Sequence, residues 1–387
     1  MARGLMNYRV TCLTPTLVGD GGKLSPIDYM VWRDQVNVLD QTRIFRLLAK
    51  GSRLEGYLTQ IRKADKLDFS SWGGFAQNFA GRRIPFDHAA YTAVWEKARS
   101  ENLFIPTFAS GPAGAYLPGS ALKGALRTGL LNARWSDAAL KELDNRFKGD
   151  RPPRNPGEVV ENASLGAAGV SRLKPVAVSD SRAVPASAFR VYLVRVSTLV
   201  AKGGRYELGW KQSPRGTVET RRIEESTPIF AEMAAPGAVF EGEWQQRPFF
   251  SQPDVLRALH WREPVDYARL AEAANSYSAR ILSLHRQYAD WTGLVPLRAS
   301  LEMLQQRLDA VRGAGQGCIF PLGWGTGLLG KSGTVDTGSE DYRRTVGQLP
   351  FFARALASGM PFPKTRRIVF VGNQPAALPG WVLLEVG

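Results

Sequence analysis

The sequence predicts an α+β protein, and three observations carry that reading. Strand-like and helix-like segments alternate irregularly, without the strand–helix–strand beat of a doubly wound parallel sheet. Of the 387 residues 44% are apolar and 22% charged, enough apolar surface to offset the entropy of ordering the chain. No repeat with a period of 20–50 residues is present, which sets aside solenoids and propellers. At about 150 residues per domain the length suggests two or three domains.

The first strand is expected at residues 8–13, where Val10 and Cys12 share one face and Arg9 and Thr11 the other. A turn-rich loop follows, with Gly19, Gly21 and Gly22 freeing the backbone. A second strand is expected at 36–39, and Asp40 is a natural N-cap for helix at 41–66. There Ile44, Leu47 and Leu48 form the inward stripe, and Gly51 divides the segment into two helices. Residues 70–83 mix Trp72, Phe75 and Phe79 with Gly and Arg. These aromatics suit either base stacking or core packing, and packing is the commoner use.

Residues 140–147 close a helix, and 148–175, rich in Pro and Gly, read as a long surface loop. Strand character returns at 189–196 and 239–244, with a basic, Gly-containing hairpin or arm at 202–222 between them. Two strong amphipathic helices are expected at 265–288 and 297–311, then a Gly-rich run. A helix at 341–357 and strands at 368–371 and 382–386 complete the chain.

Lys and Arg number 50 against 35 Asp and Glu, a formal net charge of +15. That surplus raises the local concentration of polyanions, so nucleic acid is the expected partner class. The longest apolar runs, such as Ile368-Val369-Phe370-Val371, are too short to span a bilayer, so no membrane partner is expected. Residues 1–12 form no apolar signal core, and a cytoplasmic location is expected. Cys12 and Cys318 stand alone, which excludes a disulfide framework and a cysteine zinc site.

Gly325-Thr326-Gly327-Leu328-Leu329-Gly330-Lys331-Ser332 matches the P-loop pattern letter by letter. Its context argues against nucleotide hydrolysis: Gly333-Thr334-Val335-Asp336-Thr337-Gly338 is no helix, and only 55 residues follow Ser332. The glycines and Lys331 still offer a backbone surface that a phosphodiester can approach.

The second motif is Leu117-Pro118-Gly119-Ser120-Ala121-Leu122-Lys123-Gly124-Ala125-Leu126-Arg127, a turn feeding a helix. Ser120 reads as the N-cap, Leu122, Leu126 and Leu130 pack inward, and Lys123, Arg127 and Arg134 fall on one stripe. The helix N-terminus and this stripe suit an anion, although a solvated basic face reads identically. Histidine is scarce (His88, His260 and His285), none at a metal-ligand spacing or beside a nucleophile. No catalytic set, metal or cofactor is expected.

Leu13-Thr14-Pro15 with Gly19-Asp20-Gly21, the helix motif at 117–127, and Leu322-Gly323-Trp324-Gly325-Thr326-Gly327 with Lys331 together resemble the RAMP superfamily of CRISPR-associated proteins. Their order and spacing most resemble the Csm subunits that cap the 3′ end of the guide RNA in type III-A effectors. The resemblance implies a ferredoxin-like RAMP core at 1–200 with helical insertions. It implies a second RAMP-like unit at 201–387, with a helical insertion at 254–312 and a Gly-rich loop at 313–333. It also implies a non-catalytic subunit that holds the 3′ part of the CRISPR RNA, ends the backbone filament and aids 3′ maturation. The partners implied are CRISPR RNA, other RAMP subunits, target RNA and host nucleases.

Carried over by residue, the resemblance implies that Gly19, Gly21, Gly22, Gly119, Ser120, Lys123, Arg127, Gly325, Thr326, Gly327 and Lys331 face RNA, and Arg134 is expected to join them from the helix stripe. Family members often carry a histidine between the early Pro and Gly, where this chain has Leu17, which argues against acid–base use of that loop. Asp28, the nearest candidate for the aspartate of target-cutting relatives, is read as structural. The alternatives are a RAMP-type metal-independent endoribonuclease, in which His88 would be the base, and a type III-B RAMP subunit.

Overall fold

The computed structural model describes residues 5–49, 51, 53–63, 78–149, 151–213 and 218–387. Two antiparallel sheets organise it, joined through one hydrophobic core. In the first sheet Leu5–Cys12 is the middle strand, flanked by Val239–Gln246 and Trp381–Val386; Val176–Val178 and Cys318–Pro321 form the edges. Period-two alternation does what the sequence predicts: Tyr8, Val10 and Cys12 are buried, and Val10 lies between Phe240 and Leu384.

The second sheet is built on Phe189–Lys202. Its first half pairs with Ile229–Ala234 and its second half with Arg205–Lys211, while Thr365–Val371 lies against its middle. Residues 189–199 are buried almost without interruption, Arg195, Ser197 and Thr198 included, so both faces of the strand are covered. The 200/201 division falls inside this strand, and the first sheet takes strands from both sides of it.

Helix Gly119–Ala133 packs on the long helix Tyr267–Thr292, which packs in turn on Val295–Ala314. Leu122, Leu126, Leu270, Ala274, Ile281, Leu297 and Leu301 bury their side chains in the common core. A smaller lobe carries Tyr29–Trp32, Gln35–Leu39 and Ala80–Pro85 with helices Gln41–Leu48 and Arg53–Lys63. Asp40 caps the first of these helices, its carboxylate accepting from the Arg43 amide at 2.9 Å.

Three local expectations are corrected. Leu47 is exposed, leaving Ile44 and Leu48 as the buried stripe, because the lobe covers only one narrow face of that helix. Residues 148–175 contain a helix, Pro156–Leu165, started by Pro156 at its first position and anchored by buried Val160 and Leu165. The segment 341–357 is two helices, Glu340–Gly347 and Pro350–Ala357, because Pro350 cannot continue the first and suits the start of the second. The sequence reading also left unassigned the strand Ala80–Pro85, whose Ile84 is buried.

Candidate nucleic-acid interface

The early glycine loop, the 119–133 helix and the late glycine loop are far apart in sequence, yet they line one cleft of about 650 Å³. Backbone hydrogen bonds lock the two loops together. The Trp324 amide donates to Leu17 O at 2.7 Å, the Leu322 amide to Gly380 O at 2.7 Å, and the Gly380 amide to Pro15 O at 2.9 Å. The early loop is braced on its other side, where Ala109 donates to Val18 O at 2.9 Å, and Asp20 closes its turn by accepting from Gly22 at 2.9 Å. From the helix, Ala121, Gly124, Ala125 and Thr128 form the opposite wall.

Lys23 and Lys331 are the charged side chains that line this cleft. Lys23 Nζ lies 4.5 Å from the centroid of the Phe104 ring. Lys331 is exposed and has no ion pair among the described residues. Two cations, no lining carboxylate and walls of backbone and small side chains make a surface on which a polyanion can lie close to the main chain.

The helix stripe lies elsewhere. At about 100° per residue, Lys123 and Arg127 sit about 130° round the helix from the wall that faces the cleft. Lys123 Nζ donates to Val176 O at 2.6 Å, and Arg127 pairs with Glu161 of the helix the sequence reading missed. Burial lowers the Lys123 pKa, with Arg247 and Arg127 adding to the effect. Arg134 ends the helix, exposed and away from the cleft. The helix N-terminus already has its anion: Asp180 Oδ1 accepts from the Gly119 amide at 2.9 Å. Gly119 is pressed against the end of strand Val176–Val178, where a Cβ would come within 2.4 Å of Val178 O and Ser179 O. Ser120 is therefore not the N-cap, because Pro118 takes the extended position before the helix.

Comparison with known proteins adds the family. The model of the RAMP superfamily matches residues 9–255, more than half of the chain. The chain belongs to the RAMP superfamily. Among solved structures, this RAMP chain shares its fold with a chain in the cryo-EM structure of the Csm-crRNA-target RNA ternary complex of a type III-A CRISPR-Cas system. The TM-score is 0.68 and the identity 19%, covering 98% of this chain and 100% of the other. It also shares its fold with the crystal structure of T. onnurineus Csm5, at a TM-score of 0.59 and 18% identity, covering 97% and 99%. No curated protein matches it.

In this RAMP fold the P-loop spelling lacks the P-loop shape. The strand before it is an antiparallel edge strand, turns run through Ser332, and the next helix starts at Glu340. Instead the loop is bolted down: Asn132 Nδ2 donates to Gly333 O at 3.0 Å, and the Tyr277 hydroxyl donates to Leu329 O. None of the three histidines lines the cleft. His88 Nδ1 accepts from the Ala90 amide at 3.1 Å, His260 is exposed, and buried His285 accepts from Arg366 Nε at 2.9 Å. Burial, with Arg366 adjoining, holds the His285 pKa well below its ordinary value, so the ring is neutral.

Asp28 Oδ2 accepts from Ser25 Oγ at 2.6 Å and from the Ser25 amide at 2.7 Å, a turn-closing role. Phe79 is buried in the small lobe's core; Trp72 and Phe75 lie outside the described residues. Sequence reasoning missed Lys23, although it directly follows Gly22. It also missed a second cleft behind the late loop, for which no local pattern gives a signal.

Proposed function

We propose that this chain is a non-catalytic RNA-binding subunit of a type III-A Csm complex, which holds the 3′ part of the guide RNA and caps the backbone filament. The observation that carries the reading is the meeting of three separated motifs on one cationic cleft. The full-length likeness to a chain of a Csm-crRNA-target RNA complex supports it. In this role Lys23 and Lys331 meet phosphates while the glycine loops let the RNA backbone lie close. Few side chains in the cleft read base edges, so binding tolerates sequence, as a guide requires. His88, the base that the endoribonuclease alternative requires, lies outside this cleft, which supports the non-catalytic part. Other Csm subunits, target RNA and a trimming nuclease are the partners this role entails.

Fluorescence anisotropy with a guide-length single-stranded RNA across a salt series tests the reading. The Lys23→Ala/Lys331→Ala double variant is expected to bind about tenfold more weakly, with a salt slope shallower by about 1.4, roughly 0.7 per lost phosphate contact. Lys123→Ala is expected to leave affinity and slope unchanged while lowering the unfolding free energy by about 1–2 kcal/mol, since it orphans the Val176 carbonyl. RNA incubated with wild type in EDTA is expected to stay intact on a gel. Cut RNA would move the assignment to the endoribonuclease, and absence of affinity, alone or beside backbone subunits, would end it.

A further inference from the structure

Behind the late glycine loop lies a second cleft, of about 850 Å³, and the two share Pro321 and Thr326 in their walls. Five cations line it (Lys211, Arg354, Lys364, Arg366 and Arg367) against one carboxylate, Glu219. Three of the cations are committed to the protein. Lys211 and Lys364 both bind Glu219 Oε1, at 2.7 and 3.1 Å. Arg366 donates to His285 Nδ1 at 2.9 Å, to Pro363 O at 2.6 Å and to Thr365 O at 2.9 Å, with its guanidinium over the Tyr288 ring. Arg354 is exposed and has no ion pair among the described residues.

Aromatic side chains line the same cleft. Phe352 packs edge-on against Phe362 at 5.6 Å and against Phe351 at 5.1 Å, and Phe351 is 83% exposed. Arg354 is one position short of a full turn beyond Phe351 on helix Pro350–Ala357, so a ring face and a cation stand side by side. The two clefts are also joined physically. The Arg367 guanidinium, which lines the second, lies 5.1 Å from the centroid of the Trp324 ring, which lines the first. Gly327, at the crest of the loop, is exposed and has open space around it.

An exposed phenyl beside a cation, at the mouth of a cleft with surplus positive charge, has the two halves of a nucleotide site: a face for a base and a charge for its phosphate. We infer that the single-stranded RNA crosses the late glycine loop as a saddle and places a nucleotide in this second cleft, its base against Phe351 and its phosphate on Arg354. The inference rests on the RNA-binding reading above and extends it to a second, aromatic subsite.

The test uses the full chain, guide-length oligouridylate and four proteins: wild type, Lys23→Ala/Lys331→Ala, Phe351→Ala/Arg354→Ala, and Phe351→Trp. Both altered side chains of the third protein are exposed, and a thermal melt checks that it folds as wild type. It is expected to bind RNA about tenfold more weakly, because stacking on one aromatic side chain is worth about that or more. Phe351→Trp, with Arg354 retained, is expected to bind at least as tightly as wild type. RNA carrying 4-thiouridine is expected to cross-link to the peptide spanning 350–357. If wild type binds and only the Lys23/Lys331 variant weakens, the second subsite is wrong and the first stands. Unchanged RNA affinity with lost assembly onto backbone subunits would make this face a protein contact and overturn the inference. If wild type binds no RNA, both readings fall together.

Discussion

Gly323→Ala is expected to cost about 2–5 kcal/mol of stability and to remove most RNA affinity with it. Gly323 sits at φ +85°, where an L side chain is strained by roughly 1–2 kcal/mol. An added Cβ would come within 2.2 Å of Leu17 O, a backbone atom that cannot rotate away, and such overpacking costs about 1–3 kcal/mol more. Relief requires parting the two glycine loops, which breaks the Trp324 to Leu17 hydrogen bond and opens the cleft wall. Gly327→Ala is the contrast. It has φ +74° but nothing within 4 Å of its Cβ position, so only the backbone term of about 1 kcal/mol applies. Urea unfolding of the two variants separates the terms, and equal midpoints would show that the loops are not locked as described.

The strands and the long helices were legible because each has its own period. Tyr8, Val10 and Cys12 alternate, and Leu270, Ala274, Tyr277 and Ile281 recur at helical spacing, whatever they pack against. Helix Pro156–Leu165 was hidden because its signal is a single proline start and two buried apolar residues in a Gly- and Pro-rich stretch. Pairing was out of reach for the same kind of reason. The first strand lies between residues 239–246 and 381–386, partners more than 200 residues away, and no local pattern encodes them.

The site was half legible for a physical reason that Lys123 illustrates. Periodicity shows that Lys123 and Arg127 share a stripe, but not whether that stripe meets solvent, RNA or another part of the chain. The answer depended on Val176 and Glu161, both placed by tertiary packing. Glycine loops are read better, since a glycine cluster reports on the backbone itself. Gly19, Gly21 and Gly22 line the same cleft as Thr326 and Lys331, while Gly325 and Gly327 face the second cleft. The helix contributed Gly124 and its small neighbours rather than its cations.

Arg82→Ala is expected to cost about 3 kcal/mol at neutral pH, and the deficit is expected to shrink on acidification. Arg82 grips Glu232 with two hydrogen bonds, at 2.6 and 3.0 Å, and ties the small three-stranded sheet to the Ile229–Ala234 strand. Glu232 is fully buried while Arg82 keeps a third of its side chain in solvent, so the variant leaves the acid as an uncompensated buried charge. Burial already holds the Glu232 carboxyl above its usual range, with Arg82 pulling the other way. Removing Arg82 raises it further. A carboxyl with a raised folded-state pKa contributes stability below its unfolded value, about 4.3, and loses it as pH rises through the folded value. The loss therefore reaches further in the variant than in wild type. As pH falls, both folded proteins take up the proton and their melting temperatures converge; towards neutral pH they separate. Adding Glu232→Gln to the variant removes the buried charge and is expected to abolish that pH dependence. A deficit that stays constant from pH 4.5 to 7 would mean that Arg82 acts through packing alone, leaving Glu232 indifferent to its loss.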